Sequence, residues 1–487
     1  MLTYDQLLEE NARLRGVIGE LLDRVCKLEA LVAEQAAVIA QQAAVIEQQA
    51  TLIRQQAAEI DRLKRQGKRQ AAPFSKGSPK AKPKKPGRKK GKDYGTQAKR
   101  PAPDQVDQTV EVGCPLYCPR CAAAVALGGK ASQFQIDLPP VKPQTTEFIV
   151  HWGCCSRCGR RVQGRHEEQV SDAVSVGNVH LGPGVIGLAA HLSKVCGLSF
   201  GKIAALLSCW MGLLVHRSSL CRAVQRFGLK CRPTRDALVE KVRGSPAVTA
   251  DETGWKIGGQ PAWLWGFVTE RETVYQIERG RGFAQAALVL GEDFSGVLTV
   301  DGWAPYRRFE GATLQACLTH LLRRCSELLE KAKGGAARFP RRVKAILKKA
   351  LEIRDRRDAG TITPHGVQVL RGRLQVAMSR LLAGHFTNSE NAKLAKHLRN
   401  YQEALFVFLK REDVEATNWR GEHAMRAGIM TRKCCGGGNR TESGAETQAV
   451  VMTVLRTIRQ KRLEPRQIIA ELIRASVPAP NLSVVCG

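Results

Sequence analysis

The chain has 487 residues, with 76 Lys and Arg against 45 Asp and Glu, for a formal charge of +31. That length allows more than one buried core, and that charge points to a polyanionic partner, nucleic acid above all. The longest uncharged apolar run, IAALLSCWMGLLV, is too short to span a bilayer, and the acidic start MLTYDQLLEENARL is no secretory signal, so a soluble cytoplasmic protein with no membrane role is expected.

Residues 1–63 read as a coiled-coil dimerisation helix. Ile18, Val25, Val32, Ile39, Ile46, Ile53 and Ile60 recur every seven residues, and Leu14, Leu21 and Leu28 take the matching d positions. β-Branched a positions with Leu at d favour a parallel dimer, with a trimer as the open alternative. Farther on, the d positions become Gln35, Gln42, Gln49 and Gln56, so the second half is weaker unless Val38, Val45 and Leu52 shift the seam. Residues 64–103 then lose nearly all apolar character. Fifteen Lys and Arg against one acid between residues 64 and 100 predict a disordered basic tether that also contacts phosphate backbone.

Sixteen cysteines in an intracellular chain point to metal or buried thiols rather than disulfides. Within residues 104–170, Cys118 and Cys121 form one C-x-x-C, and Cys155 and Cys158 form another. Two such knuckles supply four thiolates for one tetrahedral Zn²⁺, a zinc-ribbon-like domain. The interval between them is longer than usual for a ribbon, and FQIDLPPVKPQTTEFIVHWG reads as two strands around a Pro-rich turn. Cys114 and Cys154 are alternative ligands. Residues 171–244 read as short helices, either a helix-turn-helix DNA-binding region or an ordinary helical subdomain. Ser218 or Ser219 is the expected N-cap of the last helix.

From residue 245 the pattern is mixed α/β. SPAVTAD is a strand, PAWLWGFVTE and ETVYQIE a hairpin, GFAQAALVLG a helix and GVLTVDGW another strand, while ATLQACLTHLLRRC starts as strand or helix. V-T-A-D at 248–251 is echoed by L-T-V-D at 298–301. If a crossover returns the second strand beside the first, the two run parallel and their acids meet at one edge. Strand alternation puts Asp251 and Asp301 on the shared face and turns Glu252 away, as a supporting residue. Paired carboxylates seat Mg²⁺, and two such ions clamp the attacking and leaving oxygens of a phosphodiester. In ATNWRGEHAMRAGIMTRK, Asn418, Glu422 and Arg426 lie four apart on one helix face, suiting metal and phosphate together. Lys433 continues that face unless Gly428 ends the helix. RFPRRVKAILKKALEIRDRRD is a basic helix between the acids, and Cys317 and His320 on QACLTHLLRR favour core packing over ligation.

The pieces ADETGWKIGGQPAWLW, TVDGWAPYRR, QACLTHLLRR and TNWRGEHAMRAGIMTRK together resemble a bacterial DDE transposase of the insertion-sequence-66 type. The resemblance runs from the zipper to the terminal LEPRQIIAELIRA. It implies a multi-domain chain: coiled coil, zinc ribbon, helical subdomain, and an α/β ribonuclease-H-like catalytic core. That core spans 245–460 with a helical insertion about 325–412, and a C-terminal helix and tail occupy 461–487. Asp251, Asp301 and Glu422 match the family's three acids. The implied activity is Mg²⁺- or Mn²⁺-dependent cleavage at element ends and strand transfer into target double-stranded DNA. Asn418, Arg426, Arg432 and Lys433 are the expected DNA contacts. A homodimer or higher oligomer, element-encoded accessory proteins and nucleoid association are also implied. The family usually has Arg after the third acid, where this chain has His423, and Cys434 and Cys435 are a further departure. The rival reading is a catalytically inactive zinc-containing DNA-binding regulator derived from a transposase.

Overall fold

A computed structural model describes residues 4–67, 101–174, 179–475 and 485. The basic tether expected over 64–103 lies outside the described residues except at its two ends, as does the C-terminal tail apart from residue 485. The helix α1 (Tyr4–Gly67) forms one compact unit, and the residues from 101 onward belong to a second. α1 runs unbroken for 64 residues, about 96 Å at 1.5 Å per residue. Its a positions stand in the open, Ile39 and Ile46 each 65% exposed. Among the described residues no helix is long and apolar enough to cross a membrane.

In the cysteine region the two C-x-x-C segments fold alike. The Cys118 N–H donates to the Ala123 carbonyl at 2.9 Å and the Ala122 N–H to the Cys118 carbonyl at 2.8 Å. The Cys155 N–H donates to Arg160 at 2.9 Å and the Gly159 N–H to Cys155 at 2.8 Å. Ala122 and Gly159, each just after the second Cys, share a left-handed φ of 58° and 67°. The strands β1 (Trp152–Cys154) and β2 (Arg161–Gln163) pair antiparallel across the second knuckle. The hairpin expected over 134–153 does not form: residues 134–151 carry no strand. Pro139, Pro140 and Pro143 remove the N–H donors that a ladder there requires.

The helices α2 (Pro183–Lys194), α3 (Phe200–Met211) and α4 (Arg217–Arg243) follow. Ser199 caps α3 by accepting from the Lys202 N–H at 3.3 Å. The cap of α4 is His216, not Ser218 or Ser219: its Nδ1 accepts the Ser218 N–H at 3.3 Å. These helices are not a free-standing region, because α4 packs on the sheet that follows.

That sheet comprises β3 (Ala247–Ile257), β4 (Gln260–Val268), β5 (Thr273–Glu278), β6 (Val297–Val300) and β7 (Thr313–Ala316). Helix α5 (Phe283–Leu290) crosses between β5 and β6. The order is β5-β4-β3-β6-β7. β3, β4 and β5 are antiparallel neighbours, while β6 and β7 run parallel to β3. The ambiguous stretch after residue 312 is both elements in turn, β7 and then α6 (Leu318–Lys331). The helices α7 (Arg338–Asp358), α8 (Pro364–Leu382) and α9 (Ser389–Asn400) complete the helical insertion. α10 (Trp419–Cys434), the short β8 (Gly438–Asn439) beside β3, α11 (Glu442–Gln460) and α12 (Pro465–Arg474) end the described fold.

The sheet is covered on both faces, so its strands alternate between two cores. Ala262, Leu264 and Trp255 pack with Ala424, Met425, Ala449 and Met452 of α10 and α11. Val248, Ala250, Trp265 and Phe267 face the larger core. Gly428 does not end α10. It sits where α10 crosses the sheet, and a Cβ there would overlap Leu264 Cδ2. Leu264 is fully buried and has no room to yield. Gly428→Ala is therefore expected to destabilise the chain by about 1–3 kcal/mol through overpacking, despite the better helix propensity of Ala. A thermal melt equal to wild type would contradict this close approach.

Candidate active site

β3 and β6 are parallel neighbours in the register Thr249↔Thr299, so Asp251 and Asp301 each lie two residues beyond a paired threonine. β6 ends at Val300, but β3 continues to Ile257. Asp251 therefore sits mid-strand rather than at a strand end, still paired to Gly266 of β4, on a stretch β6 leaves uncovered. α10 supplies the third acid. It approaches β3 closely: a Cβ on Gly421 would meet Thr249 Cγ2 at 3.1 Å. Glu422, the next residue, is half-exposed, 3.9 Å from His320 Nε2 on α6.

Burial chiefly, then the charges of Glu252, Asp301 and Glu422, push the Asp251 carboxyl up to about 7. All three neighbours are thus within electrostatic reach of Asp251. Among the described residues, however, no three His, Cys, Asp or Glu side chains close on one point as a metal would require. The trio is gathered but open. Asp301 is oriented locally, its Oδ1 accepting the Trp303 N–H at 2.9 Å. Asp251 Oδ1 accepts the Glu252 N–H at 3.0 Å.

Glu252 points to the opposite face and is fully committed there. Its side chain is 1% exposed and pairs with Arg281 at 2.7 Å, while Tyr306 donates its hydroxyl at 2.7 Å. The Arg281 guanidinium is stacked between Trp263 at 4.6 Å and Trp303 at 4.0 Å. Trp303 Nε1 donates back to the Arg281 carbonyl at 3.1 Å, and Tyr401 donates to the Trp303 carbonyl at 3.1 Å. The second acid's turn is thus pinned from several sides. Arg281 and Tyr401 carry no periodic or motif signal, and Tyr306 lies within TVDGWAPYRR with nothing there to mark its role. The tryptophans of QPAWLW and DGW are the sequence signal for this cluster, whereas Trp255 of ADETGW packs in the opposite core.

The expected DNA contacts divide. Arg426 and Lys433 are exposed on α10. Asn418 is not a surface contact: it is 1% exposed, its Nδ2 donates to the Ala250 carbonyl at 3.3 Å and its N–H to Cys317 Sγ at 3.1 Å. It clips the start of α10 to β3 and α6. Arg432 is half-buried and donates to Thr253 Oγ1 at 2.9 Å, tying α10 to β3. Cys317 is core, as expected. His320 is instead beside Glu422, with burial first and Arg323 next lowering its imidazole below the usual range. His423 accepts from Arg456 at 2.8 Å, and Cys435 donates to the Gly197 carbonyl at 3.2 Å.

The family model for the IS66 family of transposases matches residues 180–447, which covers β3, β6 and α10 together with their acids. The chain belongs to the IS66 transposase family. A curated relative, the uncharacterized protein y4qI of Sinorhizobium fredii (strain NBRC 101917 / NGR234), is 24% identical over 282 residues, covering 52% of each chain. The chain spans about half the length of that relative.

In the cysteine region, Cys118, Cys121, Cys155 and Cys158 form two separate knuckles rather than one closed cluster. Backbone N–H groups of Arg120 and Cys121 lower the Cys118 thiol, and those of Cys158 and Arg157 lower Cys155. N–H groups aimed at sulfur favour thiolates, the form that ligates metal.

Proposed function

We propose that this chain cleaves DNA at the ends of its element and joins those ends to target DNA, with Asp251, Asp301 and Glu422 as its catalytic acids. The observation that carries the reading is the parallel β3–β6 pair, which brings Asp301 within electrostatic reach of Asp251, with α10 laid across β3. The strand order, three antiparallel strands followed by two parallel ones, supports a ribonuclease-H-like core.

The acids fit Mg²⁺ or Mn²⁺, because their charges already crowd Asp251 and a cation among them relieves that repulsion. When bound, the ion supplies Lewis-acid stabilisation of the phosphodiester oxygens. The chain's own residues do the rest. Arg426 and Lys433 offer exposed cations for the phosphate backbone along the face that carries Glu422. The Asn418 clip and Arg432 hold α10 at a fixed distance from β3. The Trp303 N–H holds one Asp301 oxygen. Cleavage forms a new P–O bond from water and frees a 3′-hydroxyl; joining then exchanges that hydroxyl for the 3′-oxygen of a target phosphodiester.

The exposed stripe of α1 supports pairing of two chains, which would bring two ends together. The matched knuckles support one Zn²⁺ per chain held by Cys118, Cys121, Cys155 and Cys158. Native mass spectrometry is expected to find that zinc in the wild type and to lose it in Cys155→Ser; a zinc-free wild type would contradict it. The reaction itself is tested by incubating the protein with duplex carrying its element's termini, target plasmid and Mg²⁺ or Mn²⁺. Cleaved and joined products are expected. Tight binding with no cleavage in either ion would overturn the reading in favour of a DNA-binding regulator.

A further inference from the structure

We propose that a groove along α4 holds the phosphate backbone of duplex DNA, as a contact separate from the acidic site. This rests on the DNA-binding part of the reading above and not on its cleavage chemistry. Arg222, Arg226 and Lys230 lie four residues apart on α4, so each step along the stripe is about 6 Å. They line a groove of about 630 Å³. Phe227 of α4, Ile186 of α2 and Ile473 of α12 line it as well. No carboxylate lines it among the described residues.

These cations are not spent on the protein's own acids. Arg222 bonds only within its helix, to the Ser218 carbonyl at 3.4 Å and hydroxyl at 3.5 Å. Arg226 is exposed. Lys230 donates to the Ile473 carbonyl, which fixes the inner end of the row. The neighbouring acid, Asp172, is held by Arg165 at 3.0 Å. Burial, then Arg165, lower the Lys230 ammonium below its usual range, against an opposing pull from Asp172, and Arg226 lowers it further. Positive potential therefore accumulates here, with Asp172 already shared with Arg165.

A rigid row of cations one helical turn apart fits a rigid row of phosphates. Guanidinium forks bind phosphate oxygens in pairs. The open groove suits an extended polymer better than a small anion.

The test is duplex binding by the full chain across a salt series, without divalent ions. Three proteins are compared: wild type, Arg222→Ala/Arg226→Ala, and Arg373→Ala/Arg380→Ala, which removes the same charge from exposed positions on α8. Each phosphate contact contributes about 0.9 to the slope of log affinity against log salt, so the α4 variant is expected to lose about 1.8. The α8 control is expected to keep the wild-type slope, and Arg222→Lys/Arg226→Lys to keep most of it. An unchanged slope in the α4 variant would overturn the proposal and leave the groove to another ligand, such as an acidic protein segment. An equal fall in the control would overturn it as a general charge effect. Because no divalent ion is present, neither outcome bears on the cleavage reading, and a chain that binds but never cleaves leaves this result standing.

Discussion

Replacing Asp251 with Ala is expected to slow metal-dependent cleavage of element-end DNA at least about 10³-fold, a loss of about 4 kcal/mol in transition-state stabilisation. DNA binding should survive. Asp251 is the acid nearest the centre of the site: the charges of Glu252, Asp301 and Glu422 all bear on it. It also sits where β3 runs on past the end of β6, so no β6 residue pairs with it on that side. A misfolded protein is not expected to explain the loss. Burial and three nearby carboxylates already disfavour the charge at Asp251, so its removal should leave the divalent-free melting temperature at or above wild type. Function of this kind is commonly held at a cost in stability. Single-turnover cleavage, binding anisotropy and a melt on the same preparation check all three statements. An Ala variant that cleaves at more than about a tenth of the wild-type rate would remove Asp251 from the catalytic set.

The largest stability effect is expected at Arg281. Arg281→Ala leaves the Glu252 carboxylate buried without its cation, which costs about 3–5 kcal/mol. In a core of this size that is a fall in melting temperature of about 6–20 °C. An exposed ion pair would be worth at most about 1 kcal/mol. The choice between these magnitudes rests on burial: the Glu252 side chain is 1% exposed and that of Arg281 28%. The guanidinium is also packed between two indoles, so its removal opens a gap as well as a charge. Adding Glu252→Gln to Arg281→Ala is expected to restore part of the loss, because the amide is neutral and still accepts from Tyr306. Thermal denaturation of the two single variants and the double checks this. Additive losses with no recovery would mean that packing around Arg281, and not the charge on Glu252, sets the effect.

The part of this architecture that sequence periodicity reveals is the part built from repeated local patterns. The echo of V-T-A-D in L-T-V-D predicts parallel neighbours, and β3 and β6 pair in that way. Period-two alternation separates Asp251 from Glu252, and their side chains do lie on opposite faces. The length of β3 was not legible, because DETGWKI carries acids and a glycine that resemble a turn, yet β4 extends it to Ile257 by pairing. Helical spacing placed Asn418, Glu422 and Arg426 on one stripe without showing which end of that stripe is buried. Asn418 is inside because α10 begins there against Ala250 and Cys317. Arg432 is drawn to β3 by the Thr253 hydroxyl and the Gly254 carbonyl, partners that a single helix cannot display. The Glu252–Arg281 pair joins residues 29 apart through a crossover turn, so no local pattern announces it.

The most direct measurement concerns Glu422, the acid that reaches the site only through the packing of α10. It is the rate of 3′-end cleavage by Glu422→Ala, beside wild type, on element-end duplex at saturating Mg²⁺. The account predicts a loss of the same order as in Asp251→Ala, with DNA affinity unchanged. Cleavage by Glu422→Ala near the wild-type rate would contradict the assignment of three acids to one catalytic site.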